Sequence, residues 1–190
     1  MDFVHCYFSL YLCLLVATIF VITPSSSAIQ FVDAETQARI DKVCFQMEEY
    51  GFCNGVFHEG LTLPSADFRR LAQLTIERAS SNASSTHSFV VQLLAQATEE
   101  PLKNVLIACE NAYTLVMQSF NKAVVDFYYN DYDSMVRDER AAPKAQASCE
   151  VTMKTPPAPP VDPLVDRNRE MRILIAMAIV TGHELVPGSP

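Results

Sequence analysis

Between Leu102 and Phe127 an apolar residue recurs at every third or fourth position: Leu102, Val105, Leu106, Cys109, Ala112, Tyr113, Val116, Met117, Phe120, Ala123, Val124 and Phe127. Polar side chains fill the gaps, among them Lys103, Asn104, Glu110, Gln118 and Lys122. This spacing gathers the apolar set on one stripe of an α-helix. Each large side chain on it is worth roughly 1.5–3 kcal/mol once buried, so the stripe requires partner helices. The same period appears elsewhere. Val32, Thr36, Ile40, Val43, Met47 and Tyr50 predict a helix over residues 29–50 that Gly51 stops, with a short second helix over residues 53–61. Pro64 and the capping Asp67 precede a stripe of Phe68, Leu71, Ala72, Thr75, Ile76 and Ala79 that resumes at Val90, Leu93, Leu94 and Ala97. The poor helix formers of residues 80–86 are expected to bend or fray it.

After a break at residues 128–132, Tyr132, Met135, Val136, Glu139, Ala142, Gln146, Cys149 and Met153 keep helical register. Pro143 falls inside that helix and is expected to kink or break it near residues 140–143. Residues 155–163 hold five of the eleven prolines and read as an extended linker. A last helix follows over residues 166–184, with Met171, Leu174, Ile175, Ala178, Ile179 and Gly182 inward, and residues 186–190 read as a flexible tail. No strand pair or Asn-Gly hairpin turn competes. The fold class is all-α: an N-terminal helical hairpin over residues 29–63 and an antiparallel four-helix bundle over residues 64–185.

Residues 1–28 stand apart. They are almost wholly apolar and end at Pro24, three serines and Ala28, which matches a cleaved signal peptide ahead of the alternative, an uncleaved membrane anchor, and no membrane association is expected of the remainder once it is cleaved. Cleavage leaves 162 residues, a length suited to one domain, and takes the net charge from −8 to −7. That charge disfavours nucleic acid and anionic membranes and favours a basic partner. Four cysteines survive the cut: Cys44, Cys53, Cys109 and Cys149. In an oxidising compartment they form two disulfides, and three pairings are open. A 44–53 bridge would be local, and the ends of neighbouring antiparallel helices would bring Cys109 to Cys149. Their spacing does not suit zinc, so no metal is expected. Asn82-Ala83-Ser84 is an N-glycosylation sequon.

Catalytic groups are scarce. His58-Glu59 and His183-Glu184 each begin like a zinc-protease motif, but Thr62 and Pro187 occupy the second-histidine positions. There is no nucleophile elbow and no phosphate-binding glycine loop, and the carboxylate pairs Glu48/Glu49 and Asp131/Asp133 read as a solvated acidic face rather than as a general acid and base. No enzymatic activity and no cofactor is expected.

Ile40-Asp41-Lys42-Val43-Cys44 followed by Tyr50-Gly51-Phe52-Cys53, then Cys109-Glu110-Asn111-Ala112-Tyr113, then Val124-Val125-Asp126-Phe127 and Ala147-Ser148-Cys149-Glu150, resemble the corresponding segments of the plant invertase and pectin methylesterase inhibitor family. The resemblance covers about residues 35–185. It implies a hairpin plus four-helix bundle, bridges Cys44–Cys53 and Cys109–Cys149, secretion to the cell wall or delivery to the vacuole, and inhibition by one-to-one docking over the cleft of a carbohydrate enzyme. Some invertase inhibitors of this family carry Pro-Lys-Phe before the fourth cysteine's helix, where this chain has Tyr132, Asp133 and Ser134. The spacing from Tyr113 to Cys149 looks like invertase-inhibitor-like members, whereas the acidic charge favours a basic pectin methylesterase, the expected target ahead of acid invertase. The turn Tyr129, Asn130, Asp131, Tyr132, Asp133 and Ser134 is the expected interface, because tyrosines beside carboxylates suit a docking surface. Two other readings compete: a small-ligand carrier with Met117, Phe120 and Phe127 around a pocket, and the pro-region of an esterase, against which the chain offers no catalytic domain.

Overall fold

The computed structural model describes residues 32–156 and 159–188. The expected signal peptide of residues 1–28 lies outside the described residues. Seven helices follow one another within them: α1 Ala34–Cys44, α2 Tyr50–Gly60, α3 Phe68–Gln96, α4 Glu100–Tyr128, α5 Tyr132–Glu139, α6 Ala142–Lys154 and α7 Val165–His183. The described residues contain no strand.

The bundle has four rods, the third made of α5 and α6 end to end. Polar contacts give its directions. Ser80 meets Asn121 and His87 meets Glu110, so α3 and α4 run antiparallel. Thr75 meets Thr181 and Ser85 meets Arg167, so α7 runs antiparallel to α3. Glu139 lies against Gly182 and Gln146 donates to the Asn168 carbonyl, which sets α7 antiparallel to the third rod. Because α7 also touches α1 and α2, residues all round it are buried: Asn168, Met171, Ile173, Leu174, Ile175, Met177, Ala178, Thr181 and Gly182. The α4 stripe read from sequence is the bundle's spine, with Leu106, Cys109, Tyr113, Val116, Phe120, Ala123 and Phe127 inaccessible to solvent.

Both disulfides join the expected pairs. Cys44 and Cys53 have Cα atoms 5.5 Å apart, and Cys109 and Cys149 4.4 Å, all four residues fully buried. The second closes a 40-residue separation and contributes roughly 4 kcal/mol through the entropy it removes from the unfolded chain. The first explains why α1 is shorter than its periodicity predicts. A helix running unbroken from Cys44 through Cys53 would hold the two Cα atoms about 13 Å apart along its axis, so the chain turns at residues 45–49 instead. Gly51 therefore lies within α2 and stops nothing. Phe45 stacks on Tyr50 across the turn at 5.1 Å. Glu49 binds Arg169 at 2.6 Å and Glu48 binds Arg172 at 2.9 Å, which fastens the hairpin to α7. At its other end Asp33 caps α1 through the Thr36 amide at 2.7 Å, and Thr36 Oγ1 accepts the Ala66 amide at 2.9 Å.

Two further expectations change. Residues 80–86 do not fray but stay within the unbroken α3, because Ala83 and Thr86 are buried and packing overrides their weak propensity. Val186, assigned to a tail, packs against the core beside Leu185. Pro143 does break its helix: α5 ends at Glu139, and the proline sits in the first turn of α6, where no amide donor is required.

Candidate functional site

The α4–α5 turn lies at the bundle end where α3 begins. It reverses the chain without a glycine. Asn130 adopts φ 59°, a left-handed conformation that asparagine tolerates better than most residues. Its amide donates to the Phe127 carbonyl at 3.0 Å and the Asp131 amide to the Asp126 carbonyl at 2.9 Å, the paired bonds that close a helix C-terminus. Asp131 then opens α5, its Oδ1 accepting the Ser134 amide at 3.1 Å. Hydrogen bonds from Ser134 hold the Asp131 carboxyl below the usual carboxylate range. One residue thus ends a helix and the next starts another.

Arg69 of α3 locks this turn. Its Nε donates to Tyr132 Oη at 3.1 Å, its Nη2 to Asn130 Oδ1 at 3.2 Å, and its guanidinium lies 4.8 Å from the centroid of the Phe127 ring. Tyr132 is consequently half-buried. Tyr128 crosses to the same helix, donating to Glu77 at 2.9 Å and accepting from Gln73 at 3.2 Å. Tyr129 alone of the three points away, 80 % exposed. Asp131 and Asp133 are exposed, and Asp126 and Asp138 share a hydrogen bond; burial first, then the neighbouring Asp138 and Asp131, raise the Asp126 pKa. The site is a rigid, acidic knuckle that carries one projecting aromatic ring.

All six residues read from sequence, Tyr129 to Ser134, therefore sit together in this turn. Sequence reasoning missed the platform of Arg69, Gln73, Glu77 and Tyr128. The three α3 residues stand off the apolar stripe, and polar positions on a helix face carry no signal of a cross-helix partner. The candidate catalytic groups have structural partners instead. His58 meets Gln37 at 2.9 Å and His183 meets Arg140 at 2.7 Å. Glu48 and Glu49 are held by arginines of α7. Among the described residues no group of His, Cys, Asp and Glu side chains could hold a metal ion, and no helix is long and apolar enough to cross a membrane. Phe120 and Phe127 are sealed in the core.

Fold and site define a disulfide-stapled helical bundle that presents a fixed outer surface. The sequence model of the plant invertase/pectin methylesterase inhibitor family matches residues 38–180, and the chain belongs to that family. It is similar to the pectinesterase inhibitor of Actinidia deliciosa, 28 % identical over 189 residues that span all of both chains. It is also similar to the cell wall / vacuolar inhibitor of fructosidase 2 of Arabidopsis thaliana, 29 % identical over 113 residues covering 59 % of this chain and 63 % of that one. In fold it is similar to the crystal structure of a pectin methylesterase inhibitor from Arabidopsis thaliana, at a TM-score of 0.61 and 17 % identity over 80 % of this chain and 98 % of that one. A mutant form of an Arabidopsis pectin methylesterase inhibitor gives 0.68 and 18 %, over 76 % and 95 %.

Proposed function

We propose that this protein is an exported inhibitor that acts without catalytic groups and blocks a pectin methylesterase by docking one-to-one over its substrate cleft. The observation that carries the choice of target is the end-to-end match to the Actinidia pectinesterase inhibitor, against a partial match to the fructosidase inhibitor. Charge supports it. An exported chain of net charge −7 with an acidic knuckle is attracted to a basic enzyme, and complementary potentials accelerate encounter. The knuckle centred on Tyr129 is part of the interface, since an exposed aromatic on a rigid base binds at little entropic cost. Residues 1–28 direct the chain to the cell wall, with the vacuole as the other destination of such a leader.

The test is titration of the purified, oxidised protein against a basic pectin methylesterase and an acid invertase. Esterase activity is expected to fall to its floor at one equivalent while invertase activity is unchanged. Loss of neither activity at micromolar inhibitor would overturn the reading, and loss of invertase activity alone would transfer it to the other target.

A further inference from the structure

Helix α2 does not lie flat on the bundle. At its C-terminal end Gly60 meets α3 so closely that a Cβ there would sit 2.4 Å from Leu74 Cδ1. Five and nine residues earlier, Gly55 and Gly51 have nothing within 4 Å of an added Cβ. A cleft of about 460 Å³ lies among α2, α3 and α7, with Gly51 and Gly55 in its lining. Glycines form one wall, Ser81, Asn82 and Ser85 the facing one, and Val56 and Leu174 lie in it as well. Glu59 pairs with Arg78 across it at 3.0 Å. Small residues on facing helices would ordinarily close together to recover dispersion contacts. Here they stay apart, and the space is lined by hydroxyls, a carboxamide, carboxylates and the Phe52 ring.

The asparagine in that wall belongs to the sequon Asn82-Ala83-Ser84. We infer that Asn82 carries an N-linked glycan and that the first sugars of that glycan fill this cleft, bridging the hairpin to the bundle. The site is of the right kind. Its volume lies within the ~300–1,000 Å³ typical of small-ligand pockets, and hydroxyl and carboxylate groups around an apolar floor suit a pyranose with its N-acetyl group. Asn82 Nδ2 donates to Glu170 Oε2 at 3.5 Å. Glycosylation replaces one of the two Nδ2 hydrogens, so the other still serves Glu170. In the transfer, Nδ2 attacks the anomeric carbon of a lipid-linked oligosaccharyl diphosphate. The N–C bond forms, the C–O bond to the lipid diphosphate breaks, and the displaced amide proton passes to a base of the transferase; nothing is oxidised or reduced. The transfer acts on the chain before α3 winds, since a sequon is read in extended form. Because the modification requires the secretory route, the inference rests on the export reading above.

The full chain is expressed in plant cells and the secreted protein analysed by mass spectrometry before and after peptide N-glycosidase. The expected result is a glycosylated Asn82 that the glycosidase converts to aspartate, and no modification in Asn82→Gln. A secreted protein that has lost residues 1–28 but carries an unmodified Asn82 overturns this inference and leaves export intact. A chain that keeps its leader and stays within the cell overturns export and, with it, the glycan. Seating is read separately by amide exchange: residues 50–60 are expected to exchange more slowly with the glycan present than after its removal, and equal exchange refutes the bridge. Gly55→Leu, which fills open space, is expected to expel the sugars and abolish the difference while the glycan stays attached. A difference that survives in Gly55→Leu refutes seating against α2.

Discussion

Glu139 is the most informative side chain to change. It is fully buried at the end of α5, neither carboxylate oxygen has a hydrogen-bond partner, and burial pushes its pKa up to about 8 from 4.5. Space for it comes from Gly182 of α7, where a Cβ would lie 3.1 Å from Glu139 Oε2. The nearby arginines turn outward, Arg137 to Ser134 and Arg140 to His183. The fold therefore binds a proton that the unfolded chain releases. A raised acidic pKa gives a contribution that is complete below about pH 4.5 and is lost as the pH climbs to about 8. The displacement corresponds to roughly 5 kcal/mol, a large share of the roughly 5–15 kcal/mol that holds a domain folded. In Glu139→Gln, which keeps the shape and removes the charge, this dependence disappears. Melting temperatures measured from about pH 5 to pH 9 are expected to fall in the wild type relative to the variant by roughly 10 °C or more, at about 2–4 °C per kcal/mol. Parallel curves for the two proteins would refute the reasoning, because they would mean that the carboxyl finds a partner or reaches water.

Four further outcomes follow. Cys149→Ser should lower stability to urea by roughly 4 kcal/mol, whereas reduction of a protein already lacking that bridge should cost roughly 2.5 kcal/mol for the shorter Cys44–Cys53 loop. Tyr129→Ala should leave the melting temperature unchanged and weaken esterase inhibition by roughly 2 kcal/mol, about thirtyfold; unchanged inhibition removes the knuckle from the interface. Asn130→Ala, at a backbone position with positive φ, should cost about 1–2 kcal/mol in denaturant unfolding, and Asn130→Gly should recover part of it. Replacement of both Arg169 and Arg172 by alanine should accelerate amide exchange in α1 and α2 ahead of the bundle, and uniform acceleration would show that the hairpin does not open separately.

Where one face of a helix is buried, the sequence was legible. The spacing of α4 located its core, and the run from Met135 to Met153 stayed in register across the break at Pro143 because α5 and α6 bury a common side. Legibility failed where long-range contacts decide. The period from Val32 to Tyr50 continues through residues that form a turn, since the Cys44–Cys53 bridge and two ion pairs outweigh the helical tendency of residues 45–49. Serines and Asn82 in α3 suggested a weak helix, and burial of Ala83 and Thr86 maintains it. The stripe of α7 named only part of its buried surface, because a helix surrounded by five others has little outer face to mark with charge. At the knuckle the six turn residues were legible from their composition, but Arg69, which fixes them, lies 61 residues from Asn130 in sequence.

The separation of Glu139 from the knuckle is also only one short helix. Asp131 caps α5 at one end and Glu139 is buried at the other, so this eight-residue helix transmits any loosening at the buried carboxyl to the turn that bears Tyr129. An eight-residue helix is too short to persist alone in water and holds its shape only through its contacts with α4, α6 and α7. Ionisation of Glu139 would draw water towards the α5–α7 contact at Gly182 and weaken one of those supports. Below that transition, the neutral carboxyl keeps α5 seated and the knuckle rigid. The pH dependence of esterase inhibition by Glu139→Gln, compared with that of the wild type, measures the coupling directly. If the two proteins lose affinity together as the pH rises through about 8, titration at the interface itself is responsible and α5 carries none of the effect.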